Sequence, residues 1–156
     1  MLNFKKGKYR VINYKKYKGD PTGVVYRSGW EHEVMKWCDS NPKVRRWWSE
    51  EIAIPYRSPK DGKFHRYFPD FWWEIVQDGQ LKRYLIEVKP KNKLEPPKNK
   101  RSKRYLQESI EYAVNQAKFE RAREWAADHG CEFIVITERE LKIRWTNKKS
   151  KRKYDI

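Results

Sequence analysis

Two apolar runs dominate the middle of the chain. Phe71 to Val76 (FWWEIV) and Tyr84 to Val88 (YLIEV) are rich in aromatic and β-branched residues, and Asp78-Gly79 lies between them. Asp-Gly flanked by such runs predicts a hairpin with a two-residue loop. Upstream, Trp30, Val34, Trp37 and Cys38 recur at helical spacing. Ser28-x-x-Glu31 forms a capping box in front of them, and Asn41-Pro42 closes the helix. Glu51 to Tyr56 (EIAIPY) reads as a strand, followed by a turn at Ser58 to Gly62. Tyr105 to His129 is the longest helix, with Leu106, Ile110, Ala113, Val114 and Ala117 as its inward stripe and Gly130 as its stop. Phe133 to Thr137 is a continuous apolar run, expected as a strand buried on both faces. Leu141 to Trp145 is expected as a last strand. The order is α-β-β-β-α-β with that extra strand. A hairpin in a mixed sheet with helices on both faces makes the fold class α/β, a sandwich.

The remaining segments are polar and lack apolar periodicity. Met1 to Val25 is basic and rich in tyrosine, and is expected as an arm with little regular structure. It reads equally as a phosphate-contacting arm and as a solvated tail. Lys91 to Arg104 is dense in Lys, Arg, Pro and Asn, which predicts a loop. Residues 148–156 form a basic tail. A chain of 156 residues fits a single domain, 1–156, carrying the arm 1–25 at one end and the tail at the other.

Charge narrows the choice of partner. There are 37 Lys+Arg against 21 Asp+Glu, a formal net charge of +16. That balance points to a polyanion, most simply nucleic acid. The chain has 8 Trp, whose first use is core packing and whose second is a platform for bases. Cys38 and Cys131 lie far apart without CxxC spacing, so both read as buried free thiols in a reducing compartment. No apolar run has the length of a membrane span and the N-terminus has no signal-peptide core, so the expected location is the cytoplasm.

The chemistry concentrates on the hairpin. Counting outward from a Gln77–Gln80 pair places Asp70 directly opposite Glu87, with Cα atoms about 4.5 Å apart. Glu87 and Lys89 share a face by alternation. Facing carboxylates destabilise a purely structural sheet. A hard divalent cation removes that cost, because Mg²⁺ is held by one or two carboxylates plus water and phosphate oxygens. Lys89 suits charge compensation or proton handling at a phosphate. The bland alternative is a solvated strand face with an incidental Glu/Lys pair. Glu31 borders the buried helix face, either as a cap alone or as a further site acid, and Glu33 borders the opposite edge. The basic residues Lys91, Lys93, Lys98, Lys100, Arg101, Lys103 and Arg104 leave directly from the site, and are expected to grip a DNA backbone. A solvated linker is the alternative for that loop.

The element order and motifs resemble the PD-(D/E)xK superfamily with its restriction-endonuclease-like fold. Ser28-x-x-Glu31, Asn41-Pro42-x-Val44, Ile54-Pro55-Tyr56, Tyr67-x-Pro69-Asp70-Phe71 and Glu87-Val88-Lys89-Pro90 are similar to the layout of TnsA-like transposon endonuclease subunits. So are Asn115-Gln116-Ala117-Lys118-Phe119 and Phe133 to Thr137. Size, basic N-terminus and spacing resemble the head completion nucleases of T-even-type phages. The resemblance implies a metal-dependent endodeoxyribonuclease. Asp70, Glu87 and Glu31 would be ligands of Mg²⁺, with Mn²⁺ as a substitute, and Lys89 would be the catalytic lysine. Glu33 is the substitute for Glu31 if the helix register differs, and Gln116 is a secondary candidate. The phage resemblance further implies DNA-end processing during head maturation, head or portal proteins as partners, and association with the virion. Two alternatives stay open: a non-catalytic DNA-binding or capsid-associated protein on a nuclease fold, and a transposon-type endonuclease subunit.

Overall fold

The computed structural model of the chain describes residues 6–145. Its centre is a four-stranded mixed sheet in the order β3-β6-β7-β8, formed by Val44–Ser49, Phe71–Gln77, Gln80–Val88 and Glu132–Ile136. The β6–β7 hairpin has the register read from the sequence, running from Gln77↔Gln80 to Phe71↔Ile86. Asp78 and Gly79 turn it with φ of 51° and 73°. Positive φ at both loop residues is the type I′ geometry that matches strand twist, and Asp-Gly tolerates it. β8 pairs with β7 in parallel.

Helices cover opposite faces. On one, α1 (Gly29–Ser40) sets Trp37 edge-on against Trp73, with ring centroids 4.9 Å apart. On the other, α2 (Tyr105–Asp128) brings Phe119 onto Phe133, 5.6 Å between centroids. Trp47, Trp48, Trp72 and Trp73 are all buried in the sheet. Truncating such a residue typically costs about 3–5 kcal/mol, so most of the tryptophan content is scaffold. The Ser28 hydroxyl caps α1 by accepting the Glu31 N–H at 3.1 Å. Gly130 (φ 68°) ends α2, and the Cys131 N–H returns to the Ala126 carbonyl at 2.8 Å.

Five expectations need correction. First, β3 was not predicted. Arg45 and Arg46 interrupt its apolar alternation, and the ladder to β6 shifts register between Val44 and Arg46. A bulge hides a strand from a period-two reading. Second, the Glu51–Tyr56 strand begins only at Ile54. β4 (Ile54–Arg57) pairs with β5 (Phe64–Tyr67) in a separate hairpin beside α2. Third, Leu141 to Trp145 is helical, within α3 (Glu138–Trp145). Thr137 and Glu140 form a reciprocal capping box: the Arg139 N–H reaches Thr137 Oγ1 at 3.2 Å and the Thr137 N–H reaches Glu140 Oε1 at 2.7 Å. Fourth, β8 is an edge strand, so Phe133 to Val135 are half-buried rather than covered on both faces. Cys131 in front of it is half-buried too, and its Sγ takes the Trp72 Nε1–H at 3.3 Å.

The N-terminal arm is the fifth. From residue 6 onward it has little regular structure, as expected, but it packs on the domain instead of trailing from it: Tyr9, Tyr17 and Val24 are buried while most of the residues around them are exposed. β1 (Gly7–Lys8) pairs with β2 (Val25–Tyr26). Tyr9 is buried and donates to Asp39 Oδ2 at 2.7 Å, and Tyr17 packs edge-on against Trp47 at 4.8 Å. The Lys16 ammonium donates to the Cys38, Asp39 and Asn41 carbonyls at 2.8, 3.1 and 2.9 Å. Those carbonyls close the C-terminus of α1, where a cation is favoured. The basic tail 148–156 lies outside the described residues. Among them, no helix is long and apolar enough to cross a membrane.

Candidate active site

Three elements deliver carboxylates to one place. Glu31 comes from the first turn of α1, whose capping fixes its direction. Asp70 follows Pro69 at the start of β6. Glu50 stands just after β3. One oxygen from each of Glu31, Glu50 and Asp70 lies within 4.8 Å of the other two. Glu50 adopts φ 52°, a left-handed conformation that costs a non-glycine residue roughly 1–2 kcal/mol. Its N–H donates to the Asp70 carbonyl at 3.2 Å, which ties the end of β3 to the Pro69-Asp70 corner.

Asp70 does not pair with Glu87 across the sheet. The ladder ends one step earlier, at Phe71↔Ile86. The Asp70 carboxylate instead accepts the Val88 N–H at 2.8 Å, so it is aimed by the neighbouring strand's backbone. Glu87 is buried, and both its oxygens are engaged. Oε1 accepts the Tyr67 hydroxyl at 2.6 Å and Oε2 lies 3.2 Å from the Lys89 ammonium. Glu87 is therefore outside the mutual triad but close enough for its charge to act on Asp70 and Glu31.

Burial, then the charges of Glu87 and Glu31, push the Asp70 carboxyl well above the usual aspartate range. Burial also raises Glu31, reinforced by Glu50 and Glu87 and opposed by a hydrogen bond from the Arg27 N–H. The Arg27 guanidinium pairs with Glu50 at the mouth of the cluster. Hard oxygen donors crowded together, partly buried and repelling one another, are the donor chemistry of Mg²⁺ or Mn²⁺. The residues present fit such a cation.

These shifts have a stability consequence of definite sign. A carboxyl with a raised folded pKa binds its proton more tightly folded than unfolded. The stability it contributes is full below the unfolded pKa and is lost as pH rises through the folded one. In a chelator, thermal stability should fall as pH rises above the ordinary aspartate value of 3.8 through Asp70's raised pKa. Asp70→Asn should flatten that descent. A variant with the wild-type pH slope would show that Asp70 does not carry the strain.

The other predicted residues divide. Glu33 pairs with Lys36 at 2.6 Å and takes no part in the triad. Gln116 lines a separate surface groove with Arg57 and Ser58. Lys93 pairs with Glu111 at 3.5 Å and Lys98 with Glu95 at 3.7 Å, while Lys91, Lys100, Arg101, Lys103 and Arg104 are exposed.

Two residues were missed. Glu50 carries no local signal, since only the chain's path brings it to Asp70. Lys118 stands two residues past Gln116 in the same sequence block. Its ammonium lies 5.6 Å above the Tyr67 ring and 5.7 Å above Tyr56. Burial and then Lys89 lower its pKa, opposed by Glu87 and Asp70. Its spacing from Val114 could have flagged it, because Val114 and Lys118 are one helical turn apart.

Two comparisons with known proteins bear on the family of the chain. The family described as TnsA-like endonuclease N terminal matches residues 41–138. That span includes Glu50, Asp70, Glu87, Lys89 and Lys118 and begins after Glu31. The head completion nuclease of Enterobacteria phage T4 is 36% identical over 138 residues, covering 85% of this chain and 90% of that protein.

Proposed function

The chain belongs to the TnsA-like endonuclease family, with its restriction-endonuclease-like fold, and from that premise we propose that it is a divalent-metal-dependent endodeoxyribonuclease. The observation that carries the metal dependence is the convergence of Glu31, Glu50 and Asp70 within 4.8 Å. These three would hold Mg²⁺, or Mn²⁺ in its place, with Glu87 beside them. When bound, such a cation makes water a better nucleophile at neutral pH and polarises phosphate oxygens.

The chain's own groups do the rest. The Val88 N–H fixes the Asp70 carboxylate. The Tyr67 hydroxyl and the Lys89 ammonium hold Glu87 from its two sides. Lys89 presents a cation beside the carboxylates, where it offsets the charge that develops on the phosphate as water attacks in line and the 3′ oxygen departs. Lys118 adds a second, partly desolvated cation from α2. A non-catalytic DNA-binding protein would gain nothing from carboxylates packed among these lysines, since they repel phosphate.

The T4 relative is named for head completion. Action on DNA ends at that stage of phage assembly, in the host cytoplasm or in the virion with head or portal proteins as partners, follows in this proposal from that relationship. Closed circular duplex DNA tests the reaction class, because it offers no ends to an exonuclease. Mg²⁺ should yield nicked or linear product, and EDTA should stop it. Circles that stay closed in Mg²⁺, or are cut equally in EDTA, would remove the proposal.

A further inference from the structure

A groove of about 580 Å³ opens beside Lys89. Its floor is Leu106, Ile110 and Val114, successive turns of one face of α2. The apolar spacing predicts that this stripe is core, yet Leu106 is 72% exposed and the other two are only half-buried. The fully buried residues of α2 lie further on, at Phe119, Ala122 and Ala126, while Val114 and Ala117 pack against the core from its edge. The start of the stripe, Leu106 and in part Ile110, stays open to solvent next to the candidate active site.

The edges of the groove are cationic. Lys89 and Lys118 belong to the active site as well, and Lys60 and Lys93 add two more charges. Glu111, the one carboxylate among the lining residues, lies 3.5 Å from Lys93. Aliphatic floor between lysine edges suits an unpaired nucleic-acid strand, with phosphates toward the ammonium groups and the apolar faces of bases or sugars against the floor. A duplex offers such a surface little but phosphate and sugar, since its bases are stacked inside. The groove has the volume of a small-ligand site, enough for a few nucleotides.

We propose that this groove holds unpaired nucleotides adjoining the scissile phosphate, so that duplex DNA with a single-stranded extension is preferred over blunt duplex. The inference rests on the nuclease reading and adds the substrate's form to it. Continuity through Lys89 and Lys118 connects the groove with the cleavage site.

Fluorescence anisotropy in EDTA, on blunt duplex and on the same duplex with an extension of roughly ten nucleotides, tests it. Wild type should bind the extended DNA about 10-fold more tightly, the scale of roughly 60 Å² of apolar surface covered. Leu106→Glu should abolish that preference and leave blunt-duplex affinity within about twofold. Leu106→Phe, which keeps an apolar floor, should retain it. Leu106 is exposed, so both variants should fold. Equal wild-type affinity for the two DNAs, or an equal effect of Leu106→Glu on both, would overturn the groove assignment. Failure of the nuclease reading shows separately, as no cleavage of either DNA by wild type in Mg²⁺.

Discussion

Asp70→Asn should lower the cleavage rate by roughly 10³-fold or more, about 4 kcal/mol of transition-state stabilisation. The substitution keeps shape and can keep the Val88 N–H bond through the amide oxygen. It removes the charge at the centre of the triad and leaves Glu31 and Glu50 facing a neutral amide. DNA affinity should stay within about twofold, because one anion lost beside 37 Lys+Arg cannot weaken a phosphate contact. Metal-free stability at neutral pH should rise, since a neutral amide escapes both the burial of a charge and the repulsion from Glu87 and Glu31 that lift the Asp70 pKa. Activity and stability thus move in opposite directions. A variant that loses both would be misfolded, and circular dichroism would show it. Near-wild-type cleavage would take Asp70 out of the mechanism.

Lys89→Ala carries the second largest effect. The Lys89 ammonium lies 3.2 Å from Glu87 Oε2, with 23% of its side chain exposed, so it is held at the site and still reaches substrate. Loss of a positioned group of this kind costs about 10²-fold in rate or more. The loss should appear in kcat, with KM within about twofold, because transition-state charge is what the lysine meets. Lys118 limits the damage to binding, since a second cation remains close by. If kcat and affinity fell in the same proportion, Lys89 would be an ordinary phosphate contact.

How much of this was legible in the sequence depends on how local each signal is. The β6–β7 hairpin was legible to the register, because Asp78-Gly79 encodes its turn and alternation encodes its faces. The Ser28 cap and the Gly130 stop were legible for the same reason. β3 was not, because a bulge between Val44 and Arg46 breaks the alternation on which the reading depends. α3 had its signal in Thr137-x-x-Glu140, but the five-residue window from Leu141 to Trp145 is too short for periodicity to separate strand from helix. The arm misled because two of its tyrosines bury themselves against residues far along the chain, Tyr9 on Asp39 and Tyr17 on Trp47, while Tyr14 stays exposed.

The site follows the same rule. Glu31, Asp70, Glu87 and Lys89 stand in motifs that chain position alone can reveal. Glu50 joins Asp70 through tertiary structure, with a positive φ that no neighbouring residue announces. The opposition of Asp70 and Glu87 was an extrapolation of the ladder by one pair. Pro69 has no N–H for a ladder, and the chain leaves the sheet at Asp70, which frees its carboxylate to meet α1 and the end of β3. The α2 stripe shows the converse failure: apolar spacing identified a face of the helix, and tertiary structure left its first residue, Leu106, exposed and the rest half-buried.

Glu31, Glu50 and Asp70, taken together as the holders of a divalent cation, can be tested directly. Mn²⁺ titration followed by electron paramagnetic resonance measures this without reference to DNA or cleavage. Wild type should remove Mn²⁺ from the free-ion signal with saturable binding, and Mg²⁺ should compete. The variant Glu31→Gln/Glu50→Gln/Asp70→Asn, folded by circular dichroism, should leave the free-ion signal unchanged. A triple variant that binds Mn²⁺ with wild-type stoichiometry and affinity would contradict the account.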